Sequence, residues 1–557
     1  MPATTAVTAL PAARGIRRPG ALVIAALLVA ALAAAPILSV WTNIFAGGTS
    51  DTWRHLASTV LPEYVANTLW LCFGVGSGVI VVGVSTAWLV TMHDFPGRRL
   101  FQWALVLPLA VPAYVMAYTY TDLLQFVGPI QTWLRESFGW HKGDYWFPDV
   151  RSLGGAVTMF IFVLYPYVYL LARTAFLERA SGMLEVGRSL GLGPWASFFR
   201  ISLPLARPAV AAGAALALME TLADYGTVAY FAVPTFTTGI YQAWFSLGDR
   251  IAAAQLSATL LGFVVLLLLA ERTSRGRARF HDTSGRNRPQ PGRRLSGLKA
   301  AAAVLACVMP LAIGFLVPAG ILLKMALTEG DAQFGARFVQ LAGNSFTLAA
   351  STSLLAVGLA LLLAYAARIS RGHWAPLMNR VVGLGYAVPG SVIAVGVLIP
   401  VTRLDNWLAA SIEESFGTNP GLLLTGGIAA LVYAYLARFL AVALQTVETG
   451  LAKITPSMDD AARSLGLGRG DTLRRVHLPL LRGSLLSGGL LVFVDVMKEL
   501  PATLVMRPFN FDTLATQAYI LASDERLAEA STAALTIVAV GILPVIAVSR
   551  GIARARK

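Results

Sequence analysis

Charge is scarce in this chain. Of its 557 residues, 13% are Asp, Glu, Lys or Arg, and 56% are hydrophobic. Soluble domains carry about 25% charged residues, so a cytosolic enzyme is excluded at the outset. Cysteine is nearly missing: Cys72 and Cys307 stand alone, each inside an apolar run, which rules out a disulfide framework and a thiolate metal site. No Lys follows a Gly. The GxxxxGK[ST] loop that cradles phosphates is therefore absent, and the chain cannot hydrolyse ATP by that route. His55, His93, His141, His281, His373 and His477 all fall outside the apolar runs. That placement leaves a membrane haem without axial His ligands, and no His/Cys spacing suits zinc. No cofactor, resident metal or catalytic residue is expected.

What the chain has is long apolar runs, and about 20 apolar residues cross a bilayer as one helix. Spans are predicted at 21–41, 68–90, 103–124, 154–172, 206–224 and 251–270. A second set is predicted at 298–322, 344–367, 381–401, 422–444, 480–498 and 530–548. The first run follows Arg14, Arg17 and Arg18 as a secretory leader would. Its apolar core is longer than the roughly 7–15 residues of a leader, so it is read as an uncleaved first helix. The fold class is an all-α integral membrane protein.

The net charge of +15 is bunched in loops. Residues 271–299 hold nine Lys/Arg against Glu271 and Asp282, a local +7. Basic loops beside apolar spans face the cytoplasm and anionic lipid, so the lipid bilayer rather than nucleic acid is the polyanionic partner. Loops 93–99, 173–203, 271–299 and 438–482, the amino terminus and the Arg554–Lys557 tail then lie on one side. Both termini are expected to be cytoplasmic.

The chain is also a tandem duplication. Residues 185–213 (EVGRSLGLGPWASFFRISLPLARPAVAAG) match 460–488 (DAARSLGLGRGDTLRRVHLPLLRGSLLSG) at an offset of 275, with 12 of 29 positions identical. The same offset relates Phe236 to Phe511, Thr238 to Thr513 and Gln242 to Gln517. Earlier in each half, Asn67 and Val111-Pro112 match Asn344 and Val388-Pro389 at 277. Six spans per half is an even number, so the halves enter the membrane in the same orientation, related by an axis along its normal. The expected domains are a first half, 1–270, a basic cytoplasmic linker, 271–298, rich in Gly, Pro and Arg and read as a flexible tether, and a second half, 299–557.

The duplication is plainest in a loop, where matched Gly, Arg and Pro imply matched geometry. In the second copy Thr455-Pro456-Ser457 starts a helix, with Ser457 and Asp460 spaced as a cap and its third-position acid. Gly466-Leu467-Gly468 ends it, a short amphipathic piece follows, and Pro479 begins the next span. The expected product is a helix–turn–helix knob presented twice.

Here the residues resemble a known family. Asp460-Ala461-Ala462, Gly466 and Val476-His477-Leu478-Pro479 are similar to the EAA loop of binding-protein-dependent ABC importer permeases. Glu185-Val186-Gly187, Gly191 and Ile201-Ser202-Leu203-Pro204 follow the pattern with Val-Gly in place of Ala-Ala. The resemblance implies a type I importer permease of twelve helices in two parallel repeats, in the bacterial inner membrane. It implies coupling loops at 178–204 and 453–479, carried by Glu185, Arg188, Gly191, Leu203 and Pro204 and by Asp460, Arg463, Gly466, Leu478 and Pro479. The implied partners are two copies of a cytoplasmic ATPase, which hold ATP and Mg, and a periplasmic solute-binding protein.

The stretch METLADYGTVAYFAVPTFTTGIYQAWFSLGDR (219–250) resembles ferric-iron importer permeases, with thiamine, phosphonate and polyamine permeases as alternatives. Independently, Glu220 and Asp224 lie four residues apart, as do Asp495 and Glu499 at the 275 offset. On a continuous helix each pair shares a face. Intramembrane carboxylates usually face a cavity or a partner, so the four are candidate pathway residues for a hard cation. The alternative is local pairing, for example Lys498 with Glu499.

Weaker features are Tyr114, Tyr118 and Tyr120, read as interfacial anchors or as ferric ligands, and the Gly74/Gly78 GxxxG, a possible packing face. Trp133, Trp140, Tyr145 and Trp146 suit a periplasmic partner or the lipid surface. His477 corresponds to Ser202, so it has no symmetric role. The rival from another class is an ion-driven secondary transporter of two six-helix halves. The DFPGRR run (94–99) suits it, but Arg371-Gly372-His373-Trp374 does not repeat that run.

Overall fold

A computed structural model describes residues 21–43, 50–275, 293–328, 335–370 and 374–554. Most of the 271–298 linker lies outside them, as do the side chains of Glu185 and Arg188. Eleven helices are long and apolar enough to cross a membrane, and a bent pair makes a twelfth. In chain order they are Ala21–Asn43, Leu61–Met92, the pair Arg98–Ala110 with Ala113–Phe138, Leu153–Leu177, Trp195–Ala223 and Arg250–Ser274. The second half supplies Gly297–Thr328, Ala336–Ile369, Gly390–Phe416, Ala429–Ala452, Arg469–Met497 and Leu527–Ile546. All twelve expected spans have a counterpart.

The third span of each half is not one rod. The first-half pair turns by 90° where Val111 is extended before Pro112. In the second half Trp374–Gly383 stops short of Gly390–Phe416, and Val388 is extended before Pro389. A residue preceding proline is pushed out of the α region, so each Val-Pro pair breaks a run that apolarity alone predicts to be continuous.

The 275 register also fails part-way. Thr235 caps Phe236–Tyr241 and Thr513 caps Leu514–Ser523 by the same reciprocal box, and these caps are 278 apart. Asn67 donates to the Pro234 carbonyl and Asn344 to that of Asp512, both at 2.9 Å. The second half thus carries three extra residues after its short helix Pro501–Met506. The identities Phe236/Phe511, Thr238/Thr513 and Gln242/Gln517 are not structural equivalents.

Small residues bring helices close, because lipid supplies no hydrophobic drive and close packing must. Along Leu61–Met92, a Cβ on Gly74, Gly78 or Gly83 would come within 2.9, 2.2 and 2.7 Å of Val157, Ile161 and Val168. The GxxxG is a packing face against Leu153–Ser189.

The first helix of each half packs on the other half. Ala21–Asn43 lies on Gly390–Phe416, where the Pro36 carbonyl fills the space of a Gly396 side chain and Tyr433 donates to Leu32 O at 2.7 Å. Reciprocally, Gly314 sits against the Phe162 carbonyl and Pro108, and Tyr120 donates to Ile313 O at 2.8 Å. At the end of the linker, Arg293–Arg294 pair in parallel with His93–Asp94, so that end is anchored to the short basic loop.

Candidate translocation pathway and coupling loops

The two knobs share their turn. Gly191 and Gly466 take φ of +78° and +79°, with open space where a Cβ would stand. This left-handed conformation is what glycine permits without cost. Each turn leads into a helix with a widened i→i−5 turn, Phe198–Ser202 or Leu473–His477. The wide turn precedes Pro204 or Pro479 and relieves the clash that a proline makes with the carbonyl four residues back.

The knobs differ ahead of the turn. The helix Leu153–Ser189 runs unbroken into the first, whereas the second starts afresh at Pro456. Pro456 corresponds to Ser181, and only the proline ejects its predecessor from the helix. The cap is Thr455, with Pro456 as first helical residue, and not Ser457. Asp460 is therefore not the third-position acid of a capping box; it pairs with Arg463.

Asp459, not Asp460, holds the second knob down. Its carboxylate takes Arg368 at 2.9 Å and His477 Nε2 at 2.7 Å. Arg368 also donates to the carbonyls of Leu451 and Ile454, and Tyr365 to that of Arg469. In the first half Leu184 and Ser202 replace Asp459 and His477, and Trp88 packs on Phe176 and Phe198 instead. One knob is clasped by polar bonds, the other by aromatic packing.

Asp460, Arg463, Gly466 and Pro479 are exposed, Leu478 half-buried; Gly191 and Pro204 are exposed and Leu203 half-buried. Two apolar residues that the motif does not include stand largely in the open, Leu190 at 76% exposed and Leu465 at 80%. They are the first Leu of each SLGLG, and an apolar residue at a turn in both copies was the available signal.

The four acids divide by role. The helix Trp195–Ala223 ends before Asp224, which is extended, so Glu220 and Asp224 do not share a helix face. Asp224 instead accepts from the Thr227 and Val228 amides at 2.8 and 3.4 Å. Glu499 accepts from the Ala502 and Thr503 amides at 2.9 and 3.1 Å. Each caps a short helix, Gly226–Tyr230 or Pro501–Met506, whose first amides have no other partner inside a membrane. Glu220 and Asp495 remain on their helices and are free of that duty.

All four line one cavity of about 110 Å³ between the halves, with Tyr114, Tyr167, Tyr386, Arg438 and Lys498. Glu220 accepts from Tyr386 at 3.0 Å, Lys498 pairs with Asp495 at 3.0 Å, and Arg438 pairs with Glu499 at 3.4 Å. Lys498 thus bonds Asp495, not Glu499. Gly390 makes room for the second pair, since a Cβ there would lie 2.6 Å from Glu499 Oε1. Four carboxylates against two cations leave the wall acidic. Among the described residues, no three His, Cys, Asp or Glu converge as a ready metal site.

Residues 79–275 and 356–557 each match the family described as "Binding-protein-dependent transport system inner membrane component". The chain belongs to that family. It is an ABC importer permease with two fused repeats, multi-pass in the inner membrane. It is 27% identical over 493 residues to the Fe(3+)-transport system permease protein FbpB 2 of Haemophilus influenzae, covering 87% of this chain and 89% of that one. The ferric transport system permease protein FbpB of Actinobacillus pleuropneumoniae is 23% identical, covering 90% and 73%. The sulfate transport system permease protein CysW of Escherichia coli is 27% identical, covering 42% of this chain and 80% of its own.

In this permease the three tyrosines are not interfacial anchors. Tyr114, Tyr118 and Tyr120 are buried within Ala113–Leu124, because the 90° bend turns that helix into the bundle. Tyr114 lines the cavity, Tyr118 packs on Tyr230, and Tyr120 bonds Ile313. In the 125–150 loop, Trp140 stacks on Phe138 and Tyr145, while Trp133 and Trp146 are exposed.

Proposed function

We propose that this permease carries iron(III) across the inner membrane, taking it from a periplasmic binding protein and driven by two cytoplasmic ATPases. The observation that supports a cationic cargo is the inter-half cavity, where matched acids from both halves outnumber the cations. An acidic, partly desolvated wall attracts a hard, oxygen-seeking cation and repels sulfate. Similarity to ferric permeases along most of the chain favours the same cargo, whereas the sulfate relatives match one half's length.

The exposed knobs, led by Leu190 and Leu465, are the ATPase-docking surface. Two similar knobs suit two copies of one ATPase. Their approach on ATP binding would rock the halves about the cavity and open its outer side, a rigid-body alternating-access step. The knob side is cytoplasmic, with both termini, and the 125–150 loop is periplasmic.

The test is uptake by cells carrying the permease with its binding protein and ATPase. Radioactive iron should enter, survive an uncoupler and stop on ATP depletion, and Glu220→Gln with Asp495→Asn should abolish entry at normal expression. Sulfate uptake without iron uptake overturns the cargo, and loss on uncoupling alone restores the ion-driven rival.

A further inference from the structure

Symmetry breaks inside the cavity in one respect. Its acids come in matched pairs, Glu220 with Asp495 and Asp224 with Glu499, but its cations do not. Lys498 corresponds to Ala223 and Arg438 to Val163 at the 275 offset. A purely structural network would need neither cation in the first half, because Asp224 accepts from the Thr227 and Val228 amides and the Thr227 hydroxyl without one. Glu499 makes the equivalent amide bonds and takes Arg438 in addition. Arg438 is thus fixed beside an acid already held in place.

Lys498 is placed differently. Its ammonium reaches across one turn to Asp495 at 3.0 Å, in the cavity that Glu220 and Tyr167 also line. Asp495 and Glu220 are the two acids without a capping duty. The lysine therefore stands among the oxygens that a cation in the cavity would use. The cavity also contains polar capacity that no protein group uses: the buried Tyr114 hydroxyl and Arg438 Nε have no hydrogen-bond partner. A volume of about 110 Å³ has room for several waters, enough for a partly hydrated ion.

We propose that Lys498 is a built-in counter-ion, a tethered stand-in that occupies the cation position between Asp495 and Glu220 until cargo displaces it. This rests on reading the cavity as part of the cargo path. A displaceable lysine sets a threshold: a monovalent ion gains nothing by exchanging with an ammonium of equal charge, while a trivalent ion does. Lys498 is on this argument a specificity-determining residue of the permease.

Terbium(III), a hard trivalent probe, tests this on the purified full-length permease in detergent. The lining tyrosines Tyr114, Tyr167 and Tyr386 would sensitise its luminescence, and the part of the signal that Glu220→Gln removes reports this cavity. Lys498→Gln should bind terbium about tenfold or more tighter than wild type, Lys498→Arg should bind as wild type does, and adding Glu220→Gln to Lys498→Gln should reverse the gain. Equal affinity in wild type and Lys498→Gln overturns the inference. Should Lys498→Gln not fold, Glu220→Gln alone decides: sensitised binding must weaken about tenfold, and unchanged binding overturns the inference. The titration needs neither ATPase nor binding protein, so its failure is distinguishable from failure of the uptake experiment.

Discussion

The Tyr386 hydroxyl of the second half donates to Glu220 of the first at 3.0 Å. With Tyr241, which donates to the Pro501 carbonyl, it is a polar tie between the halves. Tyr386→Phe leaves the ring in place and removes the donor from a carboxylate. A loss of about 1–3 kcal/mol is expected, read as a lower melting temperature of the detergent-solubilised permease. An unchanged melting temperature would show that the carboxylate finds another donor.

The paired glycine turns give a second expectation. A Cβ at Gly191 or Gly466 meets no atom within 4 Å, so alanine there costs only left-handed backbone strain, roughly 1–2 kcal/mol each. The double variant Gly191→Ala with Gly466→Ala should keep its spans and expression and melt somewhat lower. It should re-aim Leu190 and Leu465 and lose co-purification with the ATPase. Retained co-purification would remove the turns from the docking surface.

The Asp459 clasp predicts an unequal response of the two knobs. Asp459→Ala leaves Arg368 and the buried His477 without their shared acceptor, a local loss of about 1–3 kcal/mol. Amide exchange should quicken across 453–468 and stay as it was across 187–193, and the ratio of cargo moved to ATP hydrolysed should fall. Equal exchange in both segments would place the hold on the second knob elsewhere.

Packing glycines should separate from idle ones. Gly78→Val drives carbons into Ile161 and should destabilise by about 1–3 kcal/mol. Gly343 lies in the helix Ala336–Ile369 with nothing within 4 Å of its missing Cβ. Gly343→Ala should be neutral or stabilise by up to about 1 kcal/mol. Thermal unfolding of the two variants checks both signs.

Much of this architecture was legible because lipid imposes a coarse code. Apolar length marks each span, and the SLGLG repeat marks the bend of each knob. What failed was continuity. Helical periodicity put Glu220 and Asp224 on one face, but the helix stops at Ala223. Pro501, two residues beyond Glu499, and Thr227, three beyond Asp224, were the local signs that these acids cap new helices. Val111-Pro112 and Val388-Pro389 were likewise visible as repeats and only in the structure as breaks. The partners of Asp459 and Lys498 were out of reach for another reason. Arg368 is 91 residues from Asp459, and Lys498 had two acids within one turn, so spacing alone chose wrongly.

Ala21–Asn43 and Gly297–Thr328, each leaning on the opposite lobe, limit how this molecule can work. A sliding separation of the lobes would strip Pro36 from Gly396 and Ile313 from Tyr120, baring both seams to lipid. A small pivot keeps both seams shut. Two polypeptides made by cutting between Arg275 and Arg293 should then stay embraced after extraction from the bilayer, because the handclasp, and not the covalent thread, unites them.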